Sequence, residues 1–266
     1  MATMIAENSI FAAIVFAIFF ALSAAKVKSG KVAMQFIESL KDIFYGILEY
    51  INYITPIAVF ALVASTVANY GSVIVGVAVK YIAFAYLASV VVMFLVMILP
   101  VWIYAKINPI VYVKKVYKTW LISTSTCSSA ATLPYTIKVC NEEFNVPDKI
   151  TNLVVPLGAT IHMCGGAVSF SLLILFTSNL FGVSINLGSY LLMLIAAVFI
   201  NMAAPGIPNG GVVLGATYLS LFALPLAFIG IYSGIYRLLD MVYTTLNVTG
   251  DISANVLINE HENKEK

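Results

Sequence analysis

Two aspartates near the carboxyl end of the chain are the residues best suited to chemistry. Between residues 150 and 258 the formal charges are Arg237, Asp240 and Asp251, and the surrounding sequence is apolar. A carboxylate at the centre of a bilayer costs about 2.5–3.5 kcal/mol on insertion scales, so it usually marks the path of an ion or a substrate. The two aspartates therefore predict a binding function inside a membrane.

The polar neighbours of these aspartates share one face of a helix. At about 100° per residue, one stripe about 100° wide contains Asp240, Tyr243, Thr244, Asn247 and Asp251. The two carboxylates lie about 16 Å apart along the axis, which excludes an aspartic-protease dyad sharing one proton. Asp251 is suited to a small cation and Asp240 to a substrate ammonium group. The alternative is a structural role, with the stripe only hydrogen-bonding to neighbouring helices.

Two segments are expected to supply backbone carbonyls near this stripe. Thr249 and Gly250 precede Asp251 and predict a loosened helix whose carbonyls, with the carboxylate, form a hard-oxygen cation site. Segment 158–166 contains three glycines around His162 and predicts a second break. His162 is interpreted as a packed, hydrogen-bonded residue, with a proton relay as the alternative.

The composition requires a lipid environment for these elements. The 266 residues are 61% hydrophobic and 10% charged, with a mean hydropathy of +0.99, whereas soluble domains are about one quarter charged. This excludes a water-soluble enzyme, a disordered chain and a secreted disulfide scaffold. The net charge of +2 and the three cysteines without a CxxC pair indicate neither a nucleic-acid partner nor a zinc site.

Long apolar stretches predict five membrane spans, at about Ser9–Ala25, Ile43–Tyr70, Gly76–Ala105, Ile150–Phe181 and Phe228–Ile258. Lysines concentrate in the loops after the first and third spans. The positive-inside rule then places the amino terminus outside and the carboxyl terminus in the cytoplasm. Chance clustering of the lysines is the alternative.

Two further segments are predicted to enter the membrane and return without crossing it. Segment 108–139 carries a Ser- and Thr-rich centre, 123–132, followed by Leu133-Pro134. Segment 189–226 carries prolines and glycines within 204–211, which cannot continue a helix. A surface loop and a Pro-kinked span are the respective alternatives. Paired segments of this kind, on opposite sides of a bilayer, form the midplane site of inverted-repeat transporters.

The order of these motifs resembles the dicarboxylate/amino acid:cation symporters, the glutamate-transporter family. The matching residues are the Ser-rich centre with Thr132-Leu133-Pro134, Pro156–Ile161, Gly206-Ile207-Pro208, and Asp240 to Asp251. The resemblance implies an all-α, multi-pass plasma-membrane protein, not an enzyme, with two re-entrant hairpins and discontinuous helices. It implies a homotrimer with lipid contacts, in which residues 1–72 act as scaffold and residues 73–266 form a transport domain that moves as an elevator.

The resemblance also implies the binding residues. Those expected around an amino acid substrate are Ser128, Ser129, Met163, Gly166, Ile207, Gly211, Asp240, Tyr243, Thr244 and Asn247. Sodium is expected as the coupling ion, with a proton as the alternative and no other cofactor. One sodium site is expected to combine Asp251 with carbonyls of Gly158, His162 and Asn247. A second is expected to combine carbonyls of Thr160, Asn201, Met202 and Ala204.

The sequence departs from the family at three points. The family's Asn-Met-Asp-Gly-Thr reads as segment 162–166, His-Met-Cys-Gly-Gly, which removes a carboxylate expected at a third sodium site. Tyr243 replaces the arginine that grips an acidic substrate side chain, so a neutral amino acid is expected. The match begins inside the family's fourth helix, so the first three spans are expected to be missing. The chain is then a fragment, a short divergent member or a protein completed by another polypeptide.

Two other function classes are weighed against a symporter. The first is a non-transporting truncated homologue that binds or regulates full-length partners. The second is an intramembrane hydrolase using Ser128 or Cys127, which is disfavoured because no base is positioned beside either nucleophile.

Overall fold

The computed structural model describes residues 19–40, 73–202 and 210–264. It also describes single helical positions, namely 16, 43, 46, 50, 57, 60, 61, 64 and 68. The described residues contain helices and turns and no strand, which confirms the all-α fold class. The chain divides into two compact units, Met1–Ser65 and Thr66–Lys266. The sequence places the corresponding boundary at 72/73, and the scaffold and transport roles of the units stay predictions.

The first unit contains a turn between two helical segments, 19–24 and 30–40. Gly30 lies so close to the backbone carbonyl of Ala24 that a side chain at position 30 would overlap it. Glycine is therefore required for the chain to reverse within residues 25–29. Most of the predicted spans Ser9–Ala25 and Ile43–Tyr70 falls outside the described residues.

The second unit consists of helices joined by short connections. Their bounds are α1 Val73–Val92, a π-helical segment Met93–Ile98, α2 Leu99–Ala105, α3 Pro109–Thr126, α4 Ser129–Phe144, α5 Asp148–Ile161, α6 Cys164–Phe181, α7 Leu187–Met202, α8 Gly210–Leu221 and α9 Phe228–Lys264. The pairs α3–α4 and α7–α8 coincide with the two segments predicted to form hairpins. Their entry into a membrane stays a prediction.

Two helical stretches among the described residues have the length and apolar composition to cross a bilayer. They are Val75–Ala105 and Asp148–Phe181, which coincide with the predicted third span and the predicted broken span. Helices α7 and α8 are apolar but shorter.

Helix α9 occupies the centre of the second unit and positions the polar stripe. It packs against α1 to α6 and against α8. Its buried residues extend from Phe228 to Val256 and include almost every position between Leu239 and Val256. A helix that is buried on all sides lies in a core, so the polar groups of α9 must find their partners on the surrounding helices.

Candidate binding site for an amino acid and a cation

The break between α5 and α6 lies where the glycine-flanked His162 predicts it. The amide of His162 still donates to the Gly158 carbonyl, at 2.8 Å. His162 and Met163 then leave helical geometry, with φ of −89° and −111°, and α6 starts at Cys164. We call residues 162–163 the α5–α6 break. It turns backbone and side-chain groups of two helix ends toward α9.

The α5–α6 break contacts α9 beside Asp251. Nδ1 of His162 lies 3.0 Å from Oδ1 of Asp251 and 3.2 Å from the Asn247 carbonyl oxygen. The Asp251 side chain is 2% exposed, and a side chain at Gly158 would overlap its carboxylate. Of the four residues assigned to the first cation site, His162 therefore contacts each of the other three.

The prediction that the helix is loosened at Thr249 and Gly250 is wrong. Helix α9 continues without interruption to Lys264, and the Thr249 hydroxyl donates to the Thr245 carbonyl at 2.6 Å, within the helix. Gly250 instead leaves space for the imidazole of His162, which a side chain at position 250 would overlap. The glycine provides space for a neighbour and does not free a carbonyl.

Asn247 connects α9 to the first turn of α6. Its Oδ1 accepts the Gly165 amide at 2.7 Å, and its Nδ2 lies 3.3 Å from Sδ of Met163. The thiol of Cys164 lies 3.6 Å from the same Oδ1. These contacts satisfy a backbone amide that the start of a helix leaves without an intrahelical partner, and they fix the α5–α6 break against α9.

Asp240 begins the polar stripe, one helical turn before Thr244. The Thr244 hydroxyl donates to Oδ1 of Asp240 at 3.4 Å, and both side chains are buried. Tyr243 is 2% exposed, and its hydroxyl has no hydrogen-bond partner among the described residues. The residue expected to replace the family's arginine therefore presents one unpaired neutral polar atom beside the aspartate.

The turn of the first hairpin lies along α9. Cys127 adopts a left-handed conformation at the end of α3, and the extended Ser128 caps α4 by accepting the Ala131 amide at 3.1 Å. The hydroxyls of Ser123 and Thr245 lie 3.0 Å apart. Ser128 and Ser129 are both buried.

Arg237 contacts the same hairpin. Its guanidinium donates to the Ser125 carbonyl at 2.9 Å, in the last turn of α3. Cations are favoured at helix carboxyl ends, where carbonyls lack intrahelical partners. The one arginine of the sequence is therefore engaged with backbone beside Asp240.

The second hairpin and the second cation set are described only in part. Ile207 and Ala204 lie outside the described residues. Asn201 is buried and packs so closely on Gly166 that a side chain at position 166 would overlap its amide oxygen. Met202 is 43% exposed. The hydroxyl of Thr160 donates within α5, to the Leu157 carbonyl at 2.7 Å.

Two contact residues, Tyr236 and Gly165, were not identified from the sequence. The Tyr236 hydroxyl lies against Gly211, where an added side chain would overlap it. A side chain at Gly165 would overlap the backbone of Tyr243. For Gly165 the available signal was the clustering of glycines in 158–166, which predicted a helix break.

Comparison with known proteins agrees with this architecture. The sodium:dicarboxylate symporter family matches residues 1–261. A proton/glutamate-aspartate symporter of Bacillus subtilis is 28% identical over 97% of this chain and 62% of its own length. Neutral amino acid transporter A of Homo sapiens is 28% identical over 96% of this chain and 49% of its own length.

A third relative is a putative sodium-dependent excitatory amino acid transporter of Caenorhabditis elegans, 35% identical over 58% of this chain and 31% of its own length. The chain thus spans about half the length of the curated relatives it matches. The match to the family nevertheless covers nearly all of its residues, from the first unit through α9. This chain belongs to the sodium:dicarboxylate symporter family, a family of transporters and not of enzymes.

Proposed function

We propose that the chain forms the substrate- and ion-binding part of a secondary-active symporter that imports an amino acid together with sodium. The observation that carries the proposal is the buried stripe on α9, in which Asp240, Thr244 and Asn247 are at most 7% exposed. A buried carboxylate is stabilised by polar and cationic partners. The Thr244 hydroxyl donates to Asp240, and the α-ammonium group of an amino acid would add a cationic partner.

The substrate carboxylate is assigned to the opposite end of this stripe. Asn247 and the turn at Ser128 and Ser129 provide side-chain and backbone donors, and the remaining contacts are assigned to Met163, Gly166 and Gly211. Ile207 is assigned to the outer gate. Relatives whose names specify amino acid transport support this class of substrate.

The neutral Tyr243, at the position of the family's arginine, favours a neutral substrate. An acidic side chain placed there would lose its hydration without gaining a positively charged partner, which is costly. Arg237 already donates to the Ser125 carbonyl. A neutral side chain carries no such penalty, and the unpaired hydroxyl of Tyr243 can bond to a polar one. Serine is the simplest probe.

Sodium coupling is assigned to the carbonyls of Thr160, Asn201, Met202 and Ala204. A carbonyl-lined turn suits a hard cation, and the name of the Caenorhabditis relative specifies sodium dependence. An elevator movement of residues 73–266 against a trimeric scaffold and a location in the plasma membrane complete the proposal by resemblance.

The test is uptake of radiolabelled L-serine into vesicles containing the purified chain, with an inward sodium gradient or with choline instead. Sodium should stimulate uptake, and Asp240→Asn should abolish it because the amide cannot pair with the ammonium group. Losing one partner of a buried ion pair costs about 3–5 kcal/mol, so binding should weaken by more than about 100-fold.

Asp148→Asn is the matched control. Asp148 is exposed at the start of α5, where it accepts a hydrogen bond from Asn141 at 2.6 Å. The substitution Asp148→Asn makes the same chemical change as Asp240→Asn but outside the polar stripe, so it should leave uptake unaltered. Uptake that ignores every cation gradient, or that survives in Asp240→Asn, would reject the proposal.

A further inference from the structure

The imidazole of His162 lies where a cation bound at Asp251 would have to lie. Its Nδ1 is within hydrogen-bond distance of two oxygens at once, Oδ1 of Asp251 at 3.0 Å and the carbonyl of Asn247 at 3.2 Å. Both oxygens belong to the set that the sequence assigns to the first sodium site. One ring nitrogen therefore engages two of the oxygens that such an ion would share.

The hydrogen on Nδ1 follows from these partners. The Asn247 carbonyl can only accept a hydrogen bond, and an ionised carboxylate can only accept as well. With Asp251 ionised, a nitrogen facing two acceptors carries hydrogen, and it does so both in the Nδ1–H tautomer and in the imidazolium ion. The arrangement is therefore the same whichever of these two forms the ring takes.

The surrounding backbone provides space for this ring. A side chain at Gly250 would overlap the imidazole, and a side chain at Gly158 would overlap the Asp251 carboxylate. Two helices, α9 and α5, thus carry glycine where the ring and the carboxylate meet. The two glycines therefore provide space for the contact between the ring and the carboxylate.

An N–H in this position is incompatible with a sodium ion on the same oxygens. A hard cation takes several oxygen ligands that converge on one point. Here the lone pairs of two of those oxygens face a hydrogen that carries positive partial charge, and this hydrogen would repel the ion. The residues of the first site therefore do not fit sodium while the ring is in place.

We propose that His162 replaces sodium at Asp251, so that this site binds no sodium ion and sodium coupling depends on the second site assigned above. This inference rests on the proposed function only for the second site. The claim that the His162 ring blocks sodium binding at the first site does not depend on the proposed function, and it is tested with sodium alone. We refer to this blocking as the closure of the first site.

The experiment measures the thermal unfolding midpoint of the purified chain as sodium replaces choline at constant ionic strength. A ligand that binds the folded state stabilises it according to RT ln(1 + [L]/Kd). The sodium-induced rise should be the same in the unaltered chain and in Asp251→Asn. It should be larger in His162→Asn, and the added rise should disappear in the double variant His162→Asn/Asp251→Asn.

His261→Asn is the matched control, because the other histidine of the chain is exposed near the end of α9, away from the α5–α6 break, and its replacement should leave the sodium-induced rise unaltered. His162→Ala provides a second way to remove the ring if the asparagine variant does not fold. A sodium response of the unaltered chain that Asp251→Asn reduces would overturn the proposal. So would histidine variants that gain no response dependent on Asp251.

The two failures are distinguishable. If the unaltered chain shows no sodium response but His162→Asn gains one through Asp251, the assignment of sodium to the second site is wrong and the closure of the first site is supported. If the unaltered chain responds through Asp251, the closure is wrong and sodium coupling as such survives.

Discussion

At the scale of single residues, Tyr243 is the residue proposed to decide which amino acids fit. Its side chain is buried beside Asp240, and its hydroxyl has no partner among the described residues. The departure from the family was visible in the sequence, because it is a change of residue type. The missing hydrogen-bond partner was not, because it depends on which neighbours lie within reach in three dimensions.

Tyr243→Arg should confer binding of aspartate. A hydrogen bond to a charged group contributes about 1.5–3 kcal/mol, so aspartate should compete with L-serine roughly 10- to 100-fold better than in the unaltered chain. Competition binding over a panel of amino acids measures this change.

Tyr243→Phe is the matched control for this substitution. It keeps the ring, removes the hydroxyl and adds no charge, so aspartate should remain a poor competitor. Aspartate competing as well as serine in the unaltered chain would contradict the assignment of Tyr243 to substrate selection.

At the scale of elements, α6 approaches α9 closely at Gly165. A side chain at Gly165 would overlap backbone atoms of Tyr243, and the Gly165 amide donates to Asn247. A side chain that meets backbone cannot be relieved by a change of rotamer, so the two helices would have to separate. The close approach thus aligns the polar groups of α9 with the start of α6.

Gly165→Ala should destabilise the fold. Overpacking a well-packed core costs about 1–3 kcal/mol, which outweighs the roughly 1 kcal/mol that alanine gains over glycine in a helix. Gly76→Ala is the control, because nothing lies within 4 Å of a side chain added in α1 at that position. Thermal unfolding of both variants measures the difference. Equal midpoints would show that α6 and α9 do not approach as closely as described.

The same two helices show what sequence patterns can predict at this scale. The start of α9 at Phe228 and the break at His162 were predicted, since both follow from local residue types. The supposed loosening at Gly250 was wrong, because a glycine can serve either to bend its own helix or to admit a neighbour's side chain. Only the packing of the α5–α6 break against α9 distinguishes these roles.

At the scale of the whole molecule, the all-α class predicted from the sequence agrees with the described residues, which form helices and turns. The hydrophobic runs, the two interrupted segments and the order of motifs were sufficient for that prediction, whereas the packing of the second unit around α9 is seen only in the structure. The orientation of the chain in the membrane depends on the count of lysines in a few loops, and the arrangement of protomers depends on the family resemblance. Both stay predictions.

Orientation can be tested with single cysteines in a variant that lacks the three native cysteines. A cysteine replacing Glu142, exposed at the end of α4, should react with a membrane-impermeant maleimide only from the cytoplasmic side. A cysteine replacing Ser184, exposed between α6 and α7, should react only from outside. Labelling of right-side-out and of inverted vesicles distinguishes the two sides of the membrane. The reverse pattern would show that the predicted topology is inverted. Labelling of both positions from one side would show that no span crosses the membrane between residues 142 and 184.

Helix α9 is one continuous rod of 37 residues, and it bears both the group assigned to the substrate and the carboxylate that faces His162. Any movement of α9 across the bilayer therefore displaces Asp240 and Asp251 together and by the same distance. The two sites remain synchronised because one helix carries both residues, so no separate conformational signal between them is required.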